Sequence, residues 1–178
     1  MDEGDEGVLE EGTWEEMGIV HVEPGGSENS TCYCTSLSDS FCVDRHREEF
    51  LDLVEHHVDI LFANEQEIIS LYEVDSFDAA MQAVRGHCEV AALTRSEKGA
   101  VIVAGDEVHV IDAEPVEHVI DTTGAGDIYA ACFLTGLAQR RGLRDCGRMA
   151  GIGAAEVISH MGARPEADLQ DLMLAKLG

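Results

Sequence analysis

Asp121-Thr-Thr-Gly-Ala-Gly-Asp127 holds most of the chemistry that this chain displays in its sequence. Gly124 and Gly126 remove side chains where a backbone can approach a ligand closely. Small and apolar residues follow at helical spacing, so the glycines stand at the mouth of a helix. Free N–H groups at a helix start attract anions. The stretch can therefore cradle a phosphate or a developing negative charge. A carboxylate there is contradictory if it faces the phosphate in the ground state. The contradiction disappears if Asp127 takes a proton from an attacking hydroxyl, which is general-base work beside an anion hole. An ordinary helix start, with Thr123 or Asp127 as cap and the glycines as a turn, accounts for the same residues. The dinucleotide fingerprint is excluded, because the third glycine of G-x-G-x-x-G is absent.

Other chemistry-bearing residues are less specific. Asn64-Glu-Gln-Glu67 reads locally as a helix N-terminus with favourable acids in its first turn. Cys32-Tyr-Cys34 lacks the second pair that a four-ligand zinc site needs. Six scattered cysteines fit a reduced chain better than a disulfide framework. His56-His57 ends a predicted helix and favours its C-terminal dipole. His160 falls near the glycine motif and reads as a packing residue.

The elements that must position these residues follow an α/β rhythm from Thr31 onward. Strands are predicted at Cys32–Leu37, Val58–Phe62, Val90–Leu93, Val101–Ala104, Val108–Ile111 and Val116–Ile120. Helices are predicted at Arg45–His57, from Asn64, at Ser76–Arg85 with Ser76 as cap, and from Ala125 almost to the end. Breaks fall at Arg141-Gly142 and Gly162-Ala-Arg-Pro165, and Ser38-Asp39-Ser40 reads as a turn. Alternation of this kind predicts a three-layer, mostly parallel sheet covered by helices.

Residues 1–31 differ: they hold ten acids and no Lys or Arg. They read as an acidic, poorly ordered segment, with 32–178 as the folded domain. The apolar piece Met17–Val22 suggests a strand with no partner nearby. The formal net charge of −25 argues against nucleic acid or an anionic membrane as partner. No apolar run is long enough to span a bilayer, and the acidic start lacks the basic region of a secretory signal, so a cytosolic protein is expected.

Asp121–Asp127 resembles the D-T-x-G-A-G-D signature of the ribokinase/adenosine kinase (PfkB-type) carbohydrate kinase family. Three further stretches resemble family motifs in the same order: Asn64–Glu67 its N-x-x-E, Thr94-Arg-Ser-Glu-Lys-Gly99 its T-x-G-x-x-G nucleotide loop, and Gly162–Pro165 its G-A-x-P turn. Each pattern alone is weak; four in register are specific. Leu37–Leu53 also resembles the bacterial adenosine-kinase-like branch. The resemblance runs from about Ser36 to Gly178.

It implies an α/β fold of ribokinase type and ATP-dependent phosphoryl transfer to a hydroxyl of a nucleoside or sugar, leaning to adenosine or a ribose compound. By the same resemblance Asp127 is the catalytic base, and the N–H groups of Gly124, Ala125 and Gly126 form the anion hole. Thr94, Ser96, Gly99, Gly126 and Asn64 line the ATP site. Asn64 and Glu67 place Mg²⁺ through its waters. The region of Asp121 and Thr123, with the Gly162 turn, is where some relatives hold a monovalent cation such as K⁺. Ser96 stands where the family often has glycine. Family members are longer, and their N-terminal half carries the acceptor pocket. The chain is therefore expected to represent the nucleotide-binding half, impaired in turnover, prone to self-association as a homo-oligomer through an open sheet edge, or to act as a non-catalytic nucleotide-binding module.

Overall fold

The computed structural model describes residues 20–22, 32–37 and 40–178. Six strands form one sheet in the order of the chain: β1 (Val20–Val22), β2 (Cys32–Ser36), β3 (Ile60–Asn64), β4 (Val90–Thr94), β5 (Ala100–Ala104) and β6 (Glu107–Ile111). Among the described residues seven α-helices accompany them: α1 (Ser40–Arg45), α2 (Arg47–His56), α3 (Glu65–Tyr72), α4 (Phe77–Ala83), α5 (Ala125–Ala138), α6 (Leu143–Val157) and α7 (Leu169–Leu177).

The α/β class and the three layers are as expected. The sheet, however, is mixed rather than mostly parallel. β2, β3 and β4 run parallel, with Leu61 beside Thr35 on one flank and Ala91 on the other. β1 pairs antiparallel with β2, and β4, β5 and β6 pair antiparallel in sequence. The physical cause lies in the connections. A 3₁₀ turn at Ser96–Lys98 joins β4 to β5, and Gly105-Asp106 joins β5 to β6. Both are too short for the crossover that parallel strands need.

β3, Ile-Leu-Phe-Ala-Asn, is buried on both faces, as a central parallel strand should be. On one face Leu61 and Leu93 meet Leu53, Val54, Ile68 and Leu71 from α2 and α3. On the other, Phe62 and Ile102 meet Phe133 and Cys146 from α5 and α6, and Phe62 packs edge-on against Phe133 at 5.6 Å between centroids. Caps set the helix starts. Ser76 Oγ accepts from the N–H of Ala79 at 3.2 Å, and Asp168 accepts from the N–H of Gln170 at 2.9 Å.

Three sequence expectations need correction. Val20–Val22 does have a partner, since it pairs with Cys32–Cys34 across the sheet edge. The predicted helix Arg45–His57 is two helices, with His46 between them. Val116–Ile120 is not a strand. Pro115 cannot donate to a ladder, and the chain leaves the sheet, so that the Ile120 N–H reaches the carbonyl of Ile158 at 2.8 Å, just past α6. The poorly ordered segment assigned to residues 1–31 lies, β1 aside, outside the described residues, as does most of the Ser38–Ser40 turn. None of the six cysteines, all among the described residues, is in a disulfide. Among the described residues, no helix is long and apolar enough to cross a membrane.

Candidate active site

A cavity of about 1220 Å³ opens at the carboxyl ends of β2, β3 and β4, the usual ligand position of an open α/β sheet. Asn64, Glu67, Thr94, Ser96, Gly99, Gly124, Ala125, Gly126 and Asp127 all line it. Residues 63 positions apart in sequence, Asn64 and Asp127, thus face one space.

Asn64 ends β3 and caps α3. Its Oδ1 accepts from the N–H groups of Gln66 and Glu67, each at 2.9 Å. Glu67 answers: one oxygen accepts from the Asn64 N–H at 2.8 Å and the other from Nδ2 at 2.6 Å. This is a complete capping box. The local reading of N-x-x-E, a helix start, is therefore correct as far as it goes. The box also fixes a nearly buried carboxylate, 6% exposed, on the cavity wall.

Thr94 closes β4 and Gly99 opens β5, and the turn between them is held by Arg95 N–H to Gly99 O at 2.8 Å. Ser96 adopts φ 51, the left-handed region natural to glycine, so the loop stays tight at some conformational cost. Gly99 has φ 84, and a Cβ there would lie 2.0 Å from the Ile111 carbonyl oxygen. The loop's two cations turn away from the cavity. Arg95 bonds Glu65 at 3.1 Å and lies 4.1 Å over the Phe77 ring, while Lys98 bonds Glu65 at 3.3 Å. The Arg95 guanidinium, and then Lys98, hold the Glu65 carboxyl below its ordinary range despite some burial.

α5 begins at Gly124, φ 78, with no side chain capping it. The reading of Thr123 or Asp127 as cap is thereby removed. The Ala125 N–H donates to the Thr122 carbonyl at 3.2 Å. First-turn amides of a helix have no intrahelical acceptor, which leaves Gly126 and Asp127 with N–H groups free of that ladder. A Cβ on Gly126 would meet no atom within 4 Å beyond its own stretch of helix, and Gly126 lines the cavity. An uncapped helix start facing an open cavity fits a phosphate, and a buried carboxylate held by Asn64 fits the water shell of Mg²⁺.

Asp121 and Thr123 do not line the cavity; they brace it. One Asp121 oxygen accepts from the Thr123 hydroxyl at 2.7 Å and its N–H at 3.0 Å, and the other from the Gly162 N–H at 3.0 Å. These bonds, the Thr123 hydroxyl foremost, hold the Asp121 carboxyl down at about 2. His160 is likewise off the wall and bonds Glu156 at 3.2 Å. His56 bonds the Asp52 carbonyl at 3.1 Å near the end of α2. Sequence reasoning missed the segment Asp112–Val116, which also lines the cavity, and Tyr129, whose buried hydroxyl has no partner. Neither carries a motif; only the fold brings them there.

Comparison with known proteins places this geometry. Residues 26–169 match the model of the pfkB family of carbohydrate kinases. A probable sugar kinase from Rhizobium etli superposes with TM-score 0.77 at 48% identity, over 81% of this chain and 43% of that one. Adenosine kinase from Sinorhizobium meliloti gives 0.76 at 45% identity, over 81% and 44%. A sugar kinase of Archaeoglobus fulgidus is 36% identical over 106 residues, 59% of this chain and 42% of the relative. The chain thus spans less than half the length of these relatives, and its fold is the ribokinase type. The chain belongs to the pfkB family of carbohydrate kinases.

Proposed function

We propose that the cavity binds MgATP and serves phosphoryl transfer to a hydroxyl of a nucleoside or sugar, adenosine or a ribose compound being the favoured acceptors. One observation carries this reading: residues of three separate motifs line a single cavity at the open start of α5. In it, Asp127 takes the proton of the attacking hydroxyl, and the Gly126 and Asp127 amides receive charge on the transferring group. Gly124 and Ala125 shape that cradle, the Ala125 amide being already bonded to Thr122. Thr94, Ser96 and Gly99 flank the nucleotide. Asn64 and Glu67 would hold Mg²⁺ through water, and the ion would neutralise phosphate charge there. Asp121 and Thr123 brace the loop, beside the region where a K⁺ ion would bind.

Charge supports the metal's part. The wall carries Glu67, Glu97, Asp112, Glu114 and Asp127, and no Lys, Arg or His among the described residues. The test is calorimetric titration with ATP in Mg²⁺ and in EDTA, beside a coupled assay on adenosine and ribose. Binding is expected only with the metal. No binding in either condition overturns the reading. Binding without turnover favours a non-catalytic nucleotide-binding module.

A further inference from the structure

Behind the cavity wall, near the end of α6, Glu156 is part-buried, its side chain 9% exposed. Its Oε1 accepts from the N–H groups of Glu166 at 2.9 Å and Ala167 at 2.8 Å, and from His160 Nε2 at 3.2 Å. Its Oε2 is buried with no partner. Burial opposes the charge, yet the Ala167 N–H, His160 and the Glu166 N–H together hold the carboxyl below its ordinary range. A part-buried carboxylate with one oxygen left unpartnered is a poor source of stability.

Its bonds have a direction. The two backbone donors belong to the segment that follows the Gly162–Pro165 turn. The other end of that turn is tied by the Gly162 N–H to Asp121. Between the two anchors sits Ala163, and a Cβ on Gly124 would come within 2.6 Å of its Cβ. The turn is the surface against which Gly124 rests, and Gly124 starts α5.

We propose that Glu156 is a positioning residue for the anion-binding loop: it anchors 166–167, which seats Ala163 against Gly124 and so fixes the first-turn amides of α5. The inference rests on the reading of that helix start as a phosphate cradle. His160 sits between Glu156 and Glu166, whose oxygen lies 4.0 Å from its Nδ1.

The test compares the parent chain with Glu156→Ala, Glu156→Gln and Val54→Ala. Val54 is fully buried in the core on the opposite face of the sheet, so its truncation destabilises without touching the turn. MgATP affinity and amide hydrogen exchange without nucleotide are read well below each unfolding midpoint. A cradle displaced by about 1 Å forfeits much of its orientation, so Glu156→Ala should bind MgATP roughly tenfold or more weakly. It should also speed exchange at both 162–167 and 122–128. Glu156→Gln keeps an acceptor oxygen for the two N–H groups and should restore most of the affinity. Val54→Ala should leave affinity and 122–128 exchange unchanged. Parental affinity in Glu156→Ala, or equal losses in Val54→Ala, overturns the proposal. If the parent chain binds no MgATP, the functional reading fails, and exchange still decides the coupling: faster exchange at 162–167 alone overturns it.

Discussion

A methyl group added at Gly126 should stabilise the fold and weaken nucleotide binding at once. Gly126 is helical, its φ is ordinary, and a Cβ there meets no atom within 4 Å. Alanine in place of a helical glycine is worth about 0.5–1 kcal/mol. For a chain of this length that raises Tm by roughly 1–4 °C. The same methyl enters the cavity at the helix start, where a phosphate oxygen would lie. Affinity for MgATP should fall by on the order of tenfold or more, about 1.4 kcal/mol. Gly124→Ala is the opposing control. Its φ of 78 and the 2.6 Å approach to Ala163 make alanine strained there. The left-handed backbone costs about 1–2 kcal/mol and the overlap about 1–3 more. Adding Ala163→Gly should recover part of the overlap, since the Ala163 Cα and O also lie at 3.0 Å, and none of the backbone part. Thermal melts by circular dichroism and MgATP calorimetry read both quantities. A Gly126→Ala variant with raised Tm and unchanged affinity would refute the cradle, and one with lowered Tm would refute the open space beside Gly126.

Three further outcomes are expected. In any form of this protein that phosphorylates an acceptor, Asp127→Asn should lower kcat by about 10²–10⁴ while MgATP affinity holds, because a base acts in the transition state; near-normal kcat would remove Asp127 from that role. Gly99→Ala should cost more than about 3 kcal/mol, since its Cβ meets backbone at 2.0 Å that cannot swing aside; a melt within a few degrees of the parent contradicts the tight loop. Asp121 is held down at about 2 against 3.8 for the free group, so its stabilisation is whole above about pH 4 and is lost as pH falls toward 2; the Tm gap between parent and Asp121→Asn should close over that window, and a constant gap would show that these bonds do not carry it.

Local chemistry was legible wherever it was self-contained. The Asn64 capping box, the Ser76 cap and the start of α5 each involve residues within a few positions of one another. Strand direction was legible only in part. The Gly105-Asp106 pair between two apolar runs is a hairpin signal, and it turns β5 and β6 antiparallel. Val116–Ile120 has the composition of a strand and forms none, because the Ile120 N–H finds its acceptor at Ile158, 38 residues on. The pairing of β1 with β2 and the reach of Glu156 to Ala167 are likewise contacts that no local pattern encodes. Motifs located residues that line the cavity. The residues that hold those motifs in place, Asp121 excepted, became visible only through the fold.

The distribution of charge gives the last step. The chain is strongly acidic, yet on the proposed reading it must hold a polyanion. Arg95 and Lys98 lie in the very loop expected to flank the nucleotide, and both are spent on Glu65, away from the cavity. What attraction remains on the wall comes from the α5 amides, worth about half a unit charge at most. Of the five carboxylates on the wall, Glu114 is paired with Lys176 and the other four oppose it. A free nucleotide would therefore be repelled, and only its metal complex would find a favourable site, with the carboxylates facing the ion's water shell rather than phosphate. The same arrangement explains how Asp127 coexists with a phosphate cradle. It occupies the first turn of α5, where the helix start favours a carboxylate, and on the proposed reading it acts only when an acceptor hydroxyl arrives to give up its proton. On the proposed reading, metal dependence follows from the acidic wall, and base placement from a helix start that no side chain caps.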